Sequence, residues 1–167
     1  MIPILRLVHI VFGVFWVGAV LFATFVLMPS MKASGPSGIV IMKELGRRRM
    51  PMIMMGSAIL TVGAGIWMMI LFASGAPGWM STTTGRTFSM GGALAILSLV
   101  IGMIVNAPAA RRMGAIGEAV GRRGGPPTAE EAQELARLQA RMGTAGVVVA
   151  ILLLLATAAM AVARYLP

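Results

Sequence analysis

The sequence predicts an all-α integral membrane protein, an up-down bundle of four membrane-spanning helices with a helical hairpin between the third and fourth. First, 58% of the 167 residues are hydrophobic and only 11% are charged, whereas charged residues make up about 25% of an average soluble domain. Second, four apolar stretches, at about 7–28, 51–73, 87–107 and 143–163, contain no Asp, Glu, Lys or Arg. Third, the basic residues cluster in the segments between these stretches. The chain therefore reads as one membrane domain over 1–167.

The four apolar stretches are long enough to cross a bilayer, since a transmembrane helix takes roughly 20 apolar residues. In lipid the backbone must satisfy its own hydrogen bonds, so we expect each stretch to be helical. Short connections between successive helices favour an up-down bundle.

The distribution of basic residues predicts the orientation. Eleven of the fourteen Lys and Arg residues lie in the segments after the first and third spans, and three lie on the opposite side. By the positive-inside rule both termini are outside, and the loops 29–50 and 108–142 are cytoplasmic. The net charge of +9 then indicates contact with anionic lipids at the cytoplasmic face of the membrane rather than with nucleic acid.

Both predicted cytoplasmic segments contain helix signals. Residues 35–49 predict a short interfacial helix. In 108–142, Pro108 suits a first helical position, and the Gly124–Pro127 stretch suits a turn. Thr128 and Glu131 fit a capping box, which predicts a helix that continues without a break into the fourth span.

Small residues on the third span predict a helix-packing surface, because membrane helices associate through close contacts of small side chains. Gly91, Ala95, Ser98 and Gly102 follow one another at three- and four-residue steps; we call this set the small-residue face. It packs either inside the bundle or against another membrane subunit. Asn106 continues it, and we expect its amide to make an interhelical hydrogen bond or to cap the helix near Pro108.

The only histidine, His9, shares a face of the first span with Gly13 and Trp16. A glycine one turn from a ligand would let a flat macrocycle approach, and the indole could stack on it; we call these three residues the His9 face. A His/Met pair can ligate haem iron, and thioethers with one imidazole can hold Cu(I). The candidate metal ligands at the same depth are His9, Met68, Met69, Met90 and Met160.

Several readings of His9 stay open at this point. It forms a structural hydrogen bond or a subunit contact, or it binds haem b, a chlorin or copper. Methionine is also a common apolar filler, and the chain contains 16 of them, so no cofactor is required by the pattern.

The segment LVHIVFGVFWVGAVLF resembles the first helix of a group of small bacterial membrane proteins that includes the copper-resistance D type and the haem-containing protoporphyrinogen oxidase type. His9, Trp16 and Gly18 match that pattern, in which a His near the start of a helix precedes a Trp and small residues. The resemblance implies a haem or copper link for His9. It covers about 16 residues, and this chain has no second His.

The sequence contains no Cys and no recognisable nucleophile–base pair, carboxylate pair or phosphate loop. We therefore predict a non-enzymatic protein, an accessory or interaction subunit of a larger inner-membrane complex of respiratory or photosynthetic type. The alternative is a redox or pigment module that uses His9 to bind haem, a chlorin or copper.

Overall fold

A computed structural model of the protein confirms the all-helical fold. It describes residues 1–34 and 36–166, apart from the side chains at 36, 37, 39, 40 and 42. Within that part of the chain there are seven α-helices and no strand. Four helical stretches are long and apolar enough to cross a membrane, and each contains one predicted span: Ile2–Ala33, Met50–Gly75, Thr83–Arg123 and Ala129–Ala163.

The first and third stretches are each interrupted by a π-turn. In the first, helix α1 (Ile2–Phe22) continues through the π-turn Ala23–Leu27 into α2 (Met28–Ala33). In the third, α5 (Thr83–Ile101) continues through Gly102–Asn106 into α6 (Ala107–Arg123). Each π-turn ends two residues before a proline, Pro29 or Pro108. Proline lacks the N–H that an α-helix needs and crowds the preceding turn, and a wider π-turn accommodates it without ending the helix.

Two further helices complete the first half of the chain. Helix α3 (Pro36–Arg47) confirms the helix predicted within 35–49, and α4 (Met50–Gly75) contains the second span. A short 3₁₀ turn, Trp79–Ser81, precedes α5. The indole of Trp79 stacks on Phe72 at the end of α4 and on Phe88 of α5, with ring centroids 5.5 and 6.3 Å apart. This aromatic stack fixes the connection between α4 and α5.

Helix α7 (Ala129–Ala163) confirms the prediction of one continuous helix through the fourth span. Its first turn carries the predicted capping box: the backbone N–H of Glu131 donates to Thr128 Oγ1 at 3.2 Å, and the backbone N–H of Thr128 donates to Glu131 Oε2 at 2.8 Å. Gly124, with φ of +69°, ends α6 in the left-handed conformation that glycine tolerates.

Helices α6 and α7 are joined by two ion pairs. Arg112 lies 2.7 Å from Glu134, and Arg123 lies 2.6 Å from Glu131. Along the same side of α6, Ala109, Met113 and Ile116 are buried. Because exposed ion pairs contribute little, the buried residues of α6 supply most of what holds it in place.

The core of the membrane region joins α1, α4 and α7. Its buried members are Trp16, Val20, Ala58, Val149, Ala150 and Leu153. Partly buried side chains of α5, Ala95 and Leu99, pack against this cluster. The most extensive helix pairs are α1 with α4 and α5 with α7, and the first of these pairs contains the candidate site.

Candidate functional site

The imidazole of His9 is anchored to the second span. His9 Nδ1 donates a hydrogen bond to the backbone carbonyl oxygen of Thr61 in α4, at 2.7 Å. A carbonyl oxygen only accepts, so the proton of this bond must be on Nδ1. The bond joins residues 52 positions apart in the chain and ties α1 to α4.

Glycine makes room for the ring on the opposite helix. A Cβ atom added at Gly65 would lie 3.0 Å from His9 Cε1 and 3.1 Å from Nδ1. A side chain at this position would therefore displace the imidazole. Gly65 also lies one turn after Thr61, so the missing side chain opens the route to the Thr61 carbonyl group.

The side chain of Thr61 turns away from that carbonyl group. Its hydroxyl donates to the backbone oxygen of Ser57 at 2.7 Å, and the hydroxyl of Ser57 donates to Ile53 at 2.9 Å. Both polar side chains are buried, at 4% and 6% exposure for Ser57 and Thr61. Local back-bonding of this kind satisfies the hydroxyls within their own helix, so the Thr61 carbonyl oxygen is the group offered to His9.

The remaining nitrogen of His9, Nε2, has no hydrogen-bond partner among the described residues. In the neutral imidazole this nitrogen carries the lone pair. Histidine ligands of metals commonly donate their other N–H to a backbone carbonyl group, which fixes the ring and its tautomer. The anchoring of His9 is thus compatible both with a purely structural hydrogen bond and with ligation through Nε2.

The other two residues of the His9 face also lie against α4. A Cβ added at Gly13 would be 3.3 Å from Thr61 Cγ2, so the space beside Gly13 is taken by a threonine methyl group. Trp16 is 5% exposed and belongs to the core cluster with Ala58. The structure brings His9, Gly13 and Trp16 together on one helix interface.

The candidate methionine ligands lie at other helices. A Cβ added at Gly91 of α5 would be 3.0 Å from Met160 Cγ, and one added at Gly92 would be 4.0 Å from Met69 Sδ. Met90 is 58% exposed, and Met68 is half-buried. Met69 and Met160 therefore pack against glycines of α5, whereas His9 packs against glycine and threonine of α4. No group of three or more His, Asp or Glu side chains suited to a metal ion occurs in the described part of the chain.

The small-residue face divides into an internal part and an outer part. Gly91 and Ser98 are buried, and Gly91 lies against Ala156 and Met160 of α7. Ala95 packs against the core cluster. Gly102 differs, because no atom of a described neighbouring residue lies within 4 Å of a Cβ added there.

The hydrogen bond expected for Asn106 is not formed. Its Oδ1 is buried and has no partner among the described residues, and its side chain does not cap α6. The physical reason lies in the chain path: the helix continues past Pro108 through the π-turn, so there is no free helix start for the amide to cap.

Sequence reasoning identified His9 but missed its partners, Thr61 and Gly65. A signal was present in the second span, where Ser57, Thr61 and Gly65 recur at four-residue steps and so share one helix face. A polar and small face of this kind on an apolar span indicates contact with another helix.

Comparison with known proteins returned no matching family model, no similar curated protein and no similar solved structure.

Proposed function

We propose that the protein is a non-enzymatic, up-down four-helix protein of the bacterial inner membrane, and that it serves as an accessory subunit of a larger membrane complex. In this proposal both termini are outside, and the α6–α7 hairpin is cytoplasmic with anionic lipids around it. The proposed complex is of the respiratory or photosynthetic type.

The contacts within the membrane region support the up-down path. His9 lies against Thr61 and Gly65, while Gly13 lies against Thr61 alone, as expected for antiparallel neighbours. Similarly, the hydroxyl of Thr84, at the start of α5, donates to Leu166, just beyond the end of α7, at 3.1 Å.

The observation that carries the subunit role is the open end of the small-residue face. Gly91 and Ser98 are buried against the rest of the bundle, but Gly102 borders open space. Glycine lowers the stability of a helix by about 1 kcal/mol relative to alanine. In a membrane, glycine usually offsets this loss by letting another helix pack closely. A helix of a partner subunit packed at Gly102 would make use of it.

Native electrophoresis of the protein extracted from its own membranes in mild detergent tests this proposal. The wild-type chain should migrate as part of a larger complex, and Gly102→Leu should release it, because a leucine side chain would occupy the space that a partner helix needs at Gly102. Ala93→Leu is the matched control, since Ala93 is an exposed residue on the opposite side of α5. Migration of the wild-type chain as a bare monomer, or equal release by both variants, contradicts the subunit role.

A second candidate function rests on the anchored ring of His9. Its Nε2, which has no hydrogen-bond partner among the described residues and belongs to an imidazole fixed by the Thr61 carbonyl group, suits an axial ligand of haem b, a chlorin or copper, in line with the resemblance of the first helix. The visible spectrum of the purified protein distinguishes the two proposals. A Soret or far-red band that disappears in His9→Ala supports the cofactor module, whereas identical blank spectra with no bound copper leave the subunit role.

A further inference from the structure

A cavity of about 460 Å³, open at the protein surface, lies along the first half of α7, which alone supplies its lining. Its lining residues are Glu134, Arg137, Leu138 and Arg141. Pairs of these residues are three or four positions apart (134/137, 134/138, 137/141 and 138/141), so all four project from one face of the helix. The cavity is therefore bounded by a row of two cations, one carboxylate and one apolar side chain.

The charge of this cavity is positive because its carboxylate is already paired. Glu134 accepts hydrogen bonds from Arg112 Nε and a terminal guanidinium nitrogen, at 2.7 and 3.0 Å. Arg137 and Arg141 have no carboxylate within 4.0 Å among the described residues. Two guanidinium groups thus face the cavity without a counter-charge from any described residue, and Leu138 lies between them in the sequence.

The length of α7 places these arginines at the surface of the bilayer. The helix has 35 residues and is about 52 Å long, whereas the hydrocarbon layer is about 30 Å thick. Counted back from Ala163, twenty residues reach Thr144. Arg141 then lies about 5 Å and Arg137 about 10 Å beyond the hydrocarbon, at the level of the lipid headgroups and at their outer edge.

We propose that this cavity binds the phosphate group of an anionic phospholipid. Guanidinium groups bind phosphate oxygens in paired hydrogen bonds, and Arg137 and Arg141 lie one helical turn apart on the same face, so both can reach one phosphate group. The inference rests on the membrane placement proposed above and makes its anionic-lipid contact specific to one site. It does not depend on a partner subunit or on a cofactor at His9.

Binding of phosphatidylglycerol to the purified full-length protein tests the site. The protein is reconstituted in phosphatidylcholine nanodiscs with increasing phosphatidylglycerol, and bound lipid is counted by native mass spectrometry. The double variant Arg137→Gln/Arg141→Gln is compared with Arg111→Gln/Arg122→Gln, which removes the same charge at two exposed arginines of α6. Circular dichroism checks that both remain helical.

The first double variant should weaken phosphatidylglycerol binding by roughly thirtyfold, and the second by less than about threefold. Equal losses in both variants would overturn the proposal in favour of general charge attraction. Unchanged binding in both would overturn it as well. Excess inorganic phosphate distinguishes the source of the anion: the proposal requires that it leaves lipid binding intact, and displacement of the lipid would instead indicate a site for a free anion. Failure of the subunit proposal affects none of these outcomes, because no partner is present.

Discussion

His9 and Thr61 lie on different membrane spans and are joined by a hydrogen bond of 2.7 Å from the imidazole Nδ1 to the backbone carbonyl oxygen. Gly65 leaves the space that this bond requires, since a Cβ there would press on the imidazole at 3.0 Å. Substitutions that disturb this hydrogen bond therefore test the α1–α4 interface independently of any cofactor.

The first prediction concerns that space. Gly65→Val should displace the His9 ring and lower the free energy of unfolding by roughly 1–3 kcal/mol, as overpacking does in other tight interfaces. Gly63→Val is the matched control, because Gly63 is exposed and no atom of a described neighbour lies within 4 Å of its added Cβ. Unfolding in detergent, followed by circular dichroism, measures both. Equal destabilisation by the two variants would contradict the arrangement of His9 and Gly65.

The second prediction concerns the capping box of α7. Thr128→Ala removes the hydroxyl that accepts from the Glu131 N–H and should cost roughly 0.5–2 kcal/mol of local helix stability. Thr144→Ala makes the same chemical change inside α7, where the hydroxyl bonds only to the preceding turn. Amide exchange in the first turn of α7 should speed up in Thr128→Ala alone; unchanged exchange would show that the box does not stabilise this helix.

The third prediction concerns membrane orientation. Since the chain contains no cysteine, single cysteines at Thr83 and Gln133, both exposed, report on opposite ends of the bundle. An impermeant thiol reagent added to intact cells should label Thr83→Cys and leave Gln133→Cys unlabelled until the cells are opened. The reverse pattern would invert the proposed orientation, with the basic segments outside.

The fourth prediction concerns the end of α3. The hydrogen bonds from Arg47 and then Arg48 lower the pKa of Glu44 from its ordinary value of 4.5 to about 2. A carboxyl with a lowered pKa stabilises the folded state above its ordinary pKa, and this contribution is lost as the pH falls from about 4.5 towards 2. The carboxyl carbon resonance of Glu44 should therefore titrate near pH 2.

Arg47→Gln provides the control for Glu44. Removing the guanidinium group that donates two hydrogen bonds at 2.7 Å should move the Glu44 midpoint upward towards 4.5. A midpoint that is the same in both proteins would show that Arg47 does not pair with Glu44 in solution.

The four membrane helices and the capping box could be predicted from the sequence because each depends on residues close together in the chain. An uncharged apolar stretch of sufficient length must be helical in lipid, and the Thr128–Glu131 box is set by a spacing of three. The limits of the first helix were less predictable: it was expected at about 7–28 and runs, with its π-turn, from Ile2 to Ala33. A proline usually ends a helix, and the helix continues past Pro29 because the preceding π-turn is wider than an α-turn.

The partners of His9 could not be predicted, because they depend on which face of the second span packs against the first. That face is determined only in the folded bundle. The same is true of the small-residue face. Its four members are spaced regularly on one helix face in the sequence. In the structure, however, Gly91 faces Ala156 and Met160, whereas Gly102 faces open space. This difference between Gly91 and Gly102 depends on how α5 packs against α7.

The π-turn at Gly102–Asn106 also sets the rotational register between the membrane and the segment beyond it. A π-turn holds one more residue than an α-turn, and one residue corresponds to about 100° around a helix axis. The π-turn therefore rotates α6 by about 100° relative to the position it would have in an uninterrupted α-helix. Deleting one residue of the π-turn, such as Ile104, would turn α6 by about 100° and carry Arg112 away from Glu134. The extra residue thus sets the rotation of α6 relative to α5, so that one continuous helix packs against α7 both within the bundle and beyond it.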